Sequence, residues 1–189
     1  MANKKTTNAT ESVAKKQTKE GVADMVETNK EEPIRFTPKE IDNEQLIVVK
    51  NGTHGRLVYK SKRTGELFVW EEFGDEQEIE LRELKSAKNT YKKYFENNWF
   101  MFEDNWVIDY LGVKAYYKNA IPVSKFDEIF TKSPKELTAI IEKLSAGQKK
   151  SVIYRAKQLI ESREIDSLNT IDALEKALSV DLIEKHGGN

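Results

Sequence analysis

From Gln45 onward the chain is a series of short apolar runs separated by turn residues, and the period of those runs changes partway along. The first run, LIVV, is β-branched and closes on KNGTHG, where Asn51-Gly52 and Gly55 are strong turn formers. RLVYKSKRTGELFVWEEFG holds two strand-like runs joined through Lys62, Arg63, Thr64 and Gly65, the pattern of a β-hairpin. EQEIEL then alternates, with Ile79 and Leu81 on one face. The four runs predict a small antiparallel meander, curled toward a half-barrel. A sheet this small needs a cover on its apolar face.

Beyond the strands the apolar spacing becomes helical. Leu84, Ala87, Tyr91, Tyr94 and Phe95 form one stripe, predicting a helix over residues 82–97 that covers the meander, with Trp99, Phe100 and Phe102 closing the joint. Asp104 is placed to cap a short helix carrying Val107, Ile108 and Leu111 and ending at Gly112; residues 113–119 add a turn or two. Ser124 opens a brief helix with Phe126, Ile129 and Phe130. Two capping boxes follow, Ser133-Pro134-Lys135-Glu136 and Ser145-Ala146-Gly147-Gln148. Their helices carry Leu137, Ile140, Ile141 and Leu144, then Val152, Ile153, Ala156, Leu159 and Ile160. A last helix over residues 169–179 carries Ile171, Leu174 and Leu178. The expected fold is α+β: a meander with its packed helix over residues 33–120, and a small helical bundle over residues 121–189.

Residues 1–32 break this pattern. They mix Lys, Thr, Asn, Glu and Ala with almost no large apolar side chains, so burial cannot offset the entropy of ordering them. A disordered leader is expected, in which Val22, Met25 and Val26 offer a short helical anchor for a partner. Pro33 and Pro38 punctuate the extended lead-in to the first strand.

Charge and composition narrow the chemistry. Lys and Arg number 31 against 32 Asp and Glu, a net charge of -1, so the whole chain lacks the positive field of a dedicated nucleic-acid binder. With no cysteine, thiol nucleophiles, disulfides and cysteine-ligated zinc are excluded; His54 and His186 are too few for a multi-histidine metal centre. No apolar run approaches the ~18–20 residues that span a bilayer, and the amino terminus lacks the apolar core of a signal peptide. A soluble chain with no membrane partner is expected.

The acidic residues Glu71, Glu72, Asp75, Glu76, Glu78 and Glu80 do not follow the spacing of a calcium loop and read as a charged, aggregation-resistant strand edge, with Gly74 as a turn. Lys50, Arg56, Lys60, Lys62 and Arg63 decorate the first hairpin around Tyr59; they suit a phosphate backbone with a stacking ring, or equally suit pairing with the acidic run. Lys149, Lys150, Arg155 and Lys157 lie on the helix after the second box, where a helix-turn-helix protein would carry its recognition helix. Phosphate-binding glycine loops, dinucleotide fingerprints and nucleophile elbows are missing. His54, flanked by glycine in a turn, reads as a surface residue. No catalytic residue, metal site or cofactor is expected.

The segments VWEEFGDEQEIELRELKSAKN, FENNWF and LSAGQKKSVIYRAKQLIESREIDSLNTIDALEKAL resemble parts of small proteins encoded by tailed bacteriophages of Gram-positive hosts, among the genes for virion parts. The resemblance spans residues 46–184 and lies in texture and segment order. It implies a virion structural or assembly component, located in the host cytoplasm during assembly or in the virion. A non-enzymatic protein that binds other protein subunits, a second copy of itself included, is therefore expected. The concentration of aromatics makes Trp70, Trp99, Phe100, Trp106 and Tyr116 the partner-binding candidates. The alternative is a nucleic-acid-binding regulator that uses the basic hairpin or the basic helix.

Overall fold

The computed structural model describes residues 41–183. The expectations placed on the leader, on the lead-in through Pro38 and on His186 lie outside the described residues.

The described chain is α+β, as the change of period implies. Strand β1 (Leu46–Asn51) alternates, with Ile47, Val49 and Asn51 buried and Leu46 and Val48 turned outward. Strands β2 (Leu57–Lys60) and β3 (Leu67–Trp70) form the expected hairpin, in register from Leu57 opposite Trp70 to Lys60 opposite Leu67. At its turn Ser61 Oγ accepts from the backbone N–H groups of Arg63 and Thr64, and Gly65 takes a φ of 79° that favours a residue without Cβ.

Pairing outside the hairpin departs from sequential order. β1 pairs antiparallel with β4 (Glu76–Glu80), from Leu46 opposite Glu80 to Lys50 opposite Glu76, and its far end pairs with the two-residue β5 (Phe100–Met101). The result is a three-stranded sheet in the order β4-β1-β5 beside a two-stranded one, where residue pattern alone suggested a continuous four-strand run. Side chains join the sheets: Gln77 Nε2 donates to the Val69 carbonyl at 2.8 Å, and the Trp70 indole N–H donates to the Val49 carbonyl at 2.8 Å. The first supplies a partner to a β3 carbonyl that a continuous ladder would otherwise pair.

The covering helix arrives in two pieces, α1 (Leu81–Thr90) and α2 (Lys93–Glu96). Asn89 and Thr90 are weak helix formers, and Tyr91 leaves helical geometry at φ -138°, ψ 54°. Tyr91 and Tyr94 then present their rings edge-on to buried Tyr59, with centroids at 5.9 and 5.5 Å. Helices α3 (Asn105–Tyr110) and α4 (Lys114–Tyr117) follow; Asp104 stands at the cap position of α3 without a side-chain capping bond. Residues around Ser124 form two 3₁₀ turns, Val123–Lys125 and Asp127–Thr131.

Helices α5 (Pro134–Ile141), α6 (Ala146–Glu161) and α7 (Leu168–Leu178) complete the fold. The first capping box is complete: Ser133 Oγ accepts from the Glu136 N–H, and the Glu136 carboxylate accepts from the Ser133 N–H. In the second, Ser145 Oγ accepts from the Gln148 N–H at 3.1 Å, but the Gln148 side chain turns inward. There it donates to the Ile121 carbonyl at 2.8 Å and accepts from the Ile121 N–H at 3.0 Å. The backbone N–H and carbonyl of buried Ile121 thus find their partners in a side chain.

Two apolar clusters result. One gathers Ile47, Val49, Tyr59, Trp70, Ile79, Leu84, Phe95 and Phe100 with their neighbours; the other gathers Phe126, Leu137, Ile141, Val152, Ala156 and Leu174 with theirs. Where they meet, three backbones approach closely. Gly52 and Gly147 lie so near residues 98 and 97 that a Cβ on either would fall 2.1 Å from a carbonyl oxygen. Ser145 Oγ donates to the Asn97 carbonyl at 3.1 Å and Ser151 Oγ to the Gly52 carbonyl at 3.0 Å. Asn98 itself is left-handed, at φ 54°.

Candidate functional site

A cleft of about 600 Å³ opens beside this junction. One wall comes from the turn after β1 and the turn between β3 and β4; the other comes from residues 123–127, where the two 3₁₀ turns meet, and the outer face of α6. Buried Asn51 builds the first wall. Its Nδ2 donates to the carbonyls of Gly55 (2.8 Å) and Glu72 (2.9 Å), and its Oδ1 accepts from the Thr53 N–H (2.8 Å). Asp75 tightens the second turn by accepting from the N–H groups of Glu71 and Glu72, at 2.9 and 2.8 Å. Gly74, at φ 87°, completes it.

These turns set a stack of rings. His54 lies parallel to Phe73 with centroids 4.3 Å apart and 1° between planes, stacks with Tyr154 at 5.4 Å, and meets Phe126 at 5.5 Å. The His54 Nε2 is buried without a hydrogen-bond partner. Burial lowers the imidazole pKa, the Arg155 guanidinium lowers it further, and Asp127 opposes them only in part. The ring is therefore neutral near pH 7. Arg155 forks onto Asp127 with bonds of 3.0 and 2.7 Å and also donates to Gln158 Oε1 at 3.3 Å. Arg56 holds Glu71 at 3.1 Å, whereas the Glu72 carboxylate meets no cation among the described residues.

The aromatic candidates fall elsewhere. Trp70 and Phe100 are 1% and 0% exposed, so these two cannot serve as surface anchors in this fold; the first core needs their volume and the Trp70 N–H is spent on Val49. Trp99, Trp106 and Tyr116 are half-buried against the same core, Trp99 edge-on to Tyr94 at 5.3 Å and Tyr116 under the Lys92 ammonium at 5.5 Å.

The basic hairpin is largely committed within the chain. Lys50 bridges Glu76 and Glu103 at 2.8 and 2.5 Å, Arg63 bridges Glu80 and Glu83 at 3.0 and 2.9 Å, and Lys62 sits 4.9 Å over the Tyr91 ring. Lys60, Lys149, Lys150 and Lys157 have no carboxylate at ion-pair distance among the described residues, but they are split between the hairpin and α6. The first turn of α6, where a recognition helix would meet base edges, is packed through Gly147 onto Asn97.

Of the sequence candidates, only Arg155 lines the cleft. Residue order places His54 at the surface, whereas its ring is partly buried, and puts Glu72 on a charged strand edge; these two join Phe73 and Tyr154 in one site because residues near 54, 73, 126 and 154 are brought together by tertiary contacts alone. The sole local signal was the pair of glycine-containing turns. Among the described residues no group of three or more His, Asp or Glu is placed to hold a metal ion, and no helix is long and apolar enough to cross a membrane. What the geometry defines is an α+β fold with an aromatic cleft at the meeting of its two cores. No family model, curated protein or solved structure matches the chain.

Proposed function

We propose that the chain is a non-enzymatic protein–protein interaction component of a bacteriophage particle or of its assembly, and that the cleft receives a segment of a partner subunit. The observation that carries this reading is the make-up of the cleft wall. The rings of His54, Phe73 and Tyr154 reach its surface over buried Phe126, while Arg155 is tied to Asp127 and Glu71 to Arg56. Such a wall offers ring area with little unspent charge, the balance found at the centre of protein interfaces. A groove for nucleic acid needs the reverse, a row of unspent cations beside its stacking rings. We take the setting, the host cytoplasm during assembly or the virion, from the resemblance of three sequence segments to phage proteins.

The test is capture of partners by the tagged full-length chain from producing cells, with nuclease in parallel, for the wild type and Tyr154→Ala. A defined set of subunits that survives nuclease, and falls about ten-fold with Tyr154→Ala, is expected; aromatic interface anchors have effects of this size. Partners lost to nuclease, through binding that weakens steeply with salt, would make nucleic acid the ligand and remove this reading.

A further inference from the structure

We infer that the cleft recognises a cationic side chain, arginine foremost, carried on an extended segment of the partner protein. The inference rests on the interaction reading above and names the chemistry of the partner at that same site.

Three features of the wall select for a cation. The first is Tyr154, whose surface is 51% exposed at the cleft although its ring stacks with His54. A ring open to solvent attracts a guanidinium through the negative potential of its face. The second is the charge left after internal pairing. Glu71, Glu72 and Asp127 line the cleft against the single guanidinium of Arg155; with Asp127 held by Arg155 and Glu71 by Arg56, Glu72 remains. The third is His54, which adds no positive charge to repel a cation near neutral pH.

An anion would meet the opposite arrangement. Its one available cation already forks onto a carboxylate, and two further carboxylates stand at the rim. Arginine suits the wall better than lysine, because a planar guanidinium can lie on the Tyr154 ring while two of its N–H groups reach the Glu72 carboxylate. Gln158 extends the match to a backbone. Its Oε1 accepts from Arg155, which leaves its amide N–H groups for a carbonyl of the incoming chain. The volume, about 600 Å³, lies in the range of sites that enclose most of a small ligand and accommodates a side chain with its flanking backbone.

The experiment titrates the full-length, isotope-labelled protein with acetyl-arginine-amide, with the neutral isostere acetyl-citrulline-amide and with inorganic phosphate, up to the solubility of each, following amide shifts by NMR. Shifts at Gly55, Tyr154 and Gln158 with the arginine probe, about ten-fold weaker with citrulline, are expected. Glu72→Gln should weaken the arginine response about five-fold, the scale of one solvent-exposed ion pair. This substitution leaves the fold intact, since the Glu72 side chain is exposed and only its backbone braces the turn. Equal responses to arginine and citrulline, a response to phosphate alone, or no response would overturn the inference. If Tyr154→Ala still lowered partner capture about ten-fold in those cases, the interaction reading would stand and only the cationic specificity would fall.

Discussion

Two sites in this molecule use nearly the same parts, a tyrosine, an arginine and an acidic side chain, and put them to opposite uses. In the first core Tyr59, Glu83 and Arg63 form a closed set. The Tyr59 hydroxyl donates to Glu83 at 2.5 Å, Arg63 donates to the other carboxylate oxygen at 2.9 Å, and Glu83 is 2% exposed. In the cleft Tyr154, Arg155 and Asp127 leave their group open: the ring is half-exposed, the ion pair lies at the surface and a neighbouring imidazole nitrogen has no partner. Burial explains the difference. A carboxylate held out of water must be fully bonded or it destabilises the fold, whereas groups at a cleft can remain partly unsatisfied until something binds.

The closed site can be broken most severely. Glu83→Ala would strand the buried Tyr59 hydroxyl, while Arg63 keeps its bond to Glu80 at 3.0 Å, and should cost about 3 kcal/mol, measured by denaturant unfolding. Its pH dependence has a defined sign. Burial opposes the charged form of Glu83, but hydrogen bonds from Tyr59, Ser61 and Arg63 outweigh it and hold the carboxyl below its ordinary range. This stabilisation is full above the ordinary carboxylate pKa, near ~4.3, and is lost as pH falls through the lower folded value. Burial and the bond to Glu83 also push the Tyr59 phenol well above its ordinary range, so Tyr59 stays neutral throughout.

The junction that shapes the open site comes next. Gly147→Ala places a Cβ 2.1 Å from the Asn97 carbonyl oxygen and 2.7 Å from its Cβ, and the first contact is to backbone that cannot swing aside. A loss of about 1–3 kcal/mol is expected from thermal or denaturant unfolding. Smaller again is His54→Phe, which keeps the ring stack with Phe73 and removes the unpartnered nitrogen. Stability at pH 7.5 should change by less than about 1 kcal/mol. The sharper readout is the pH profile. An imidazole with a lowered folded pKa contributes fully above its ordinary value of ~6.5 and destabilises progressively as pH falls below it. The phenylalanine variant should therefore lose less stability between pH 7.5 and 5.5 than the wild type.

What could be read from residue order follows the range of the interactions involved. Ser133 and Glu136 satisfy each other within one turn, so their box is visible in four letters of sequence. Gln148 has the same spacing from Ser145, yet its side chain is drawn to Ile121, 27 residues away, by a pair of buried backbone groups that no local pattern announces. The hairpin was visible because its turn is local; the pairing of β1 with β4 and β5 was not, since it depends on which strand edges remain free once the rings of Tyr59, Trp70 and Phe100 are buried. The same limit hid the cleft. A concentration of aromatics marks burial as readily as binding, and only the fold shows that Trp70 is inside while Tyr154 is at the surface.

The bond from Ser151 to the Gly52 carbonyl spans 99 residues of chain. A ribosome delivers Gly52 first, and its carbonyl has to wait for the residue that will satisfy it. Contacts of such separation form slowly, because a long loop is closed before its reward arrives. The first core can gather its own strands during that interval, but the cleft has only one of its walls. It comes into existence only when α6 arrives, so a chain that stops short of α6 cannot present a finished cleft.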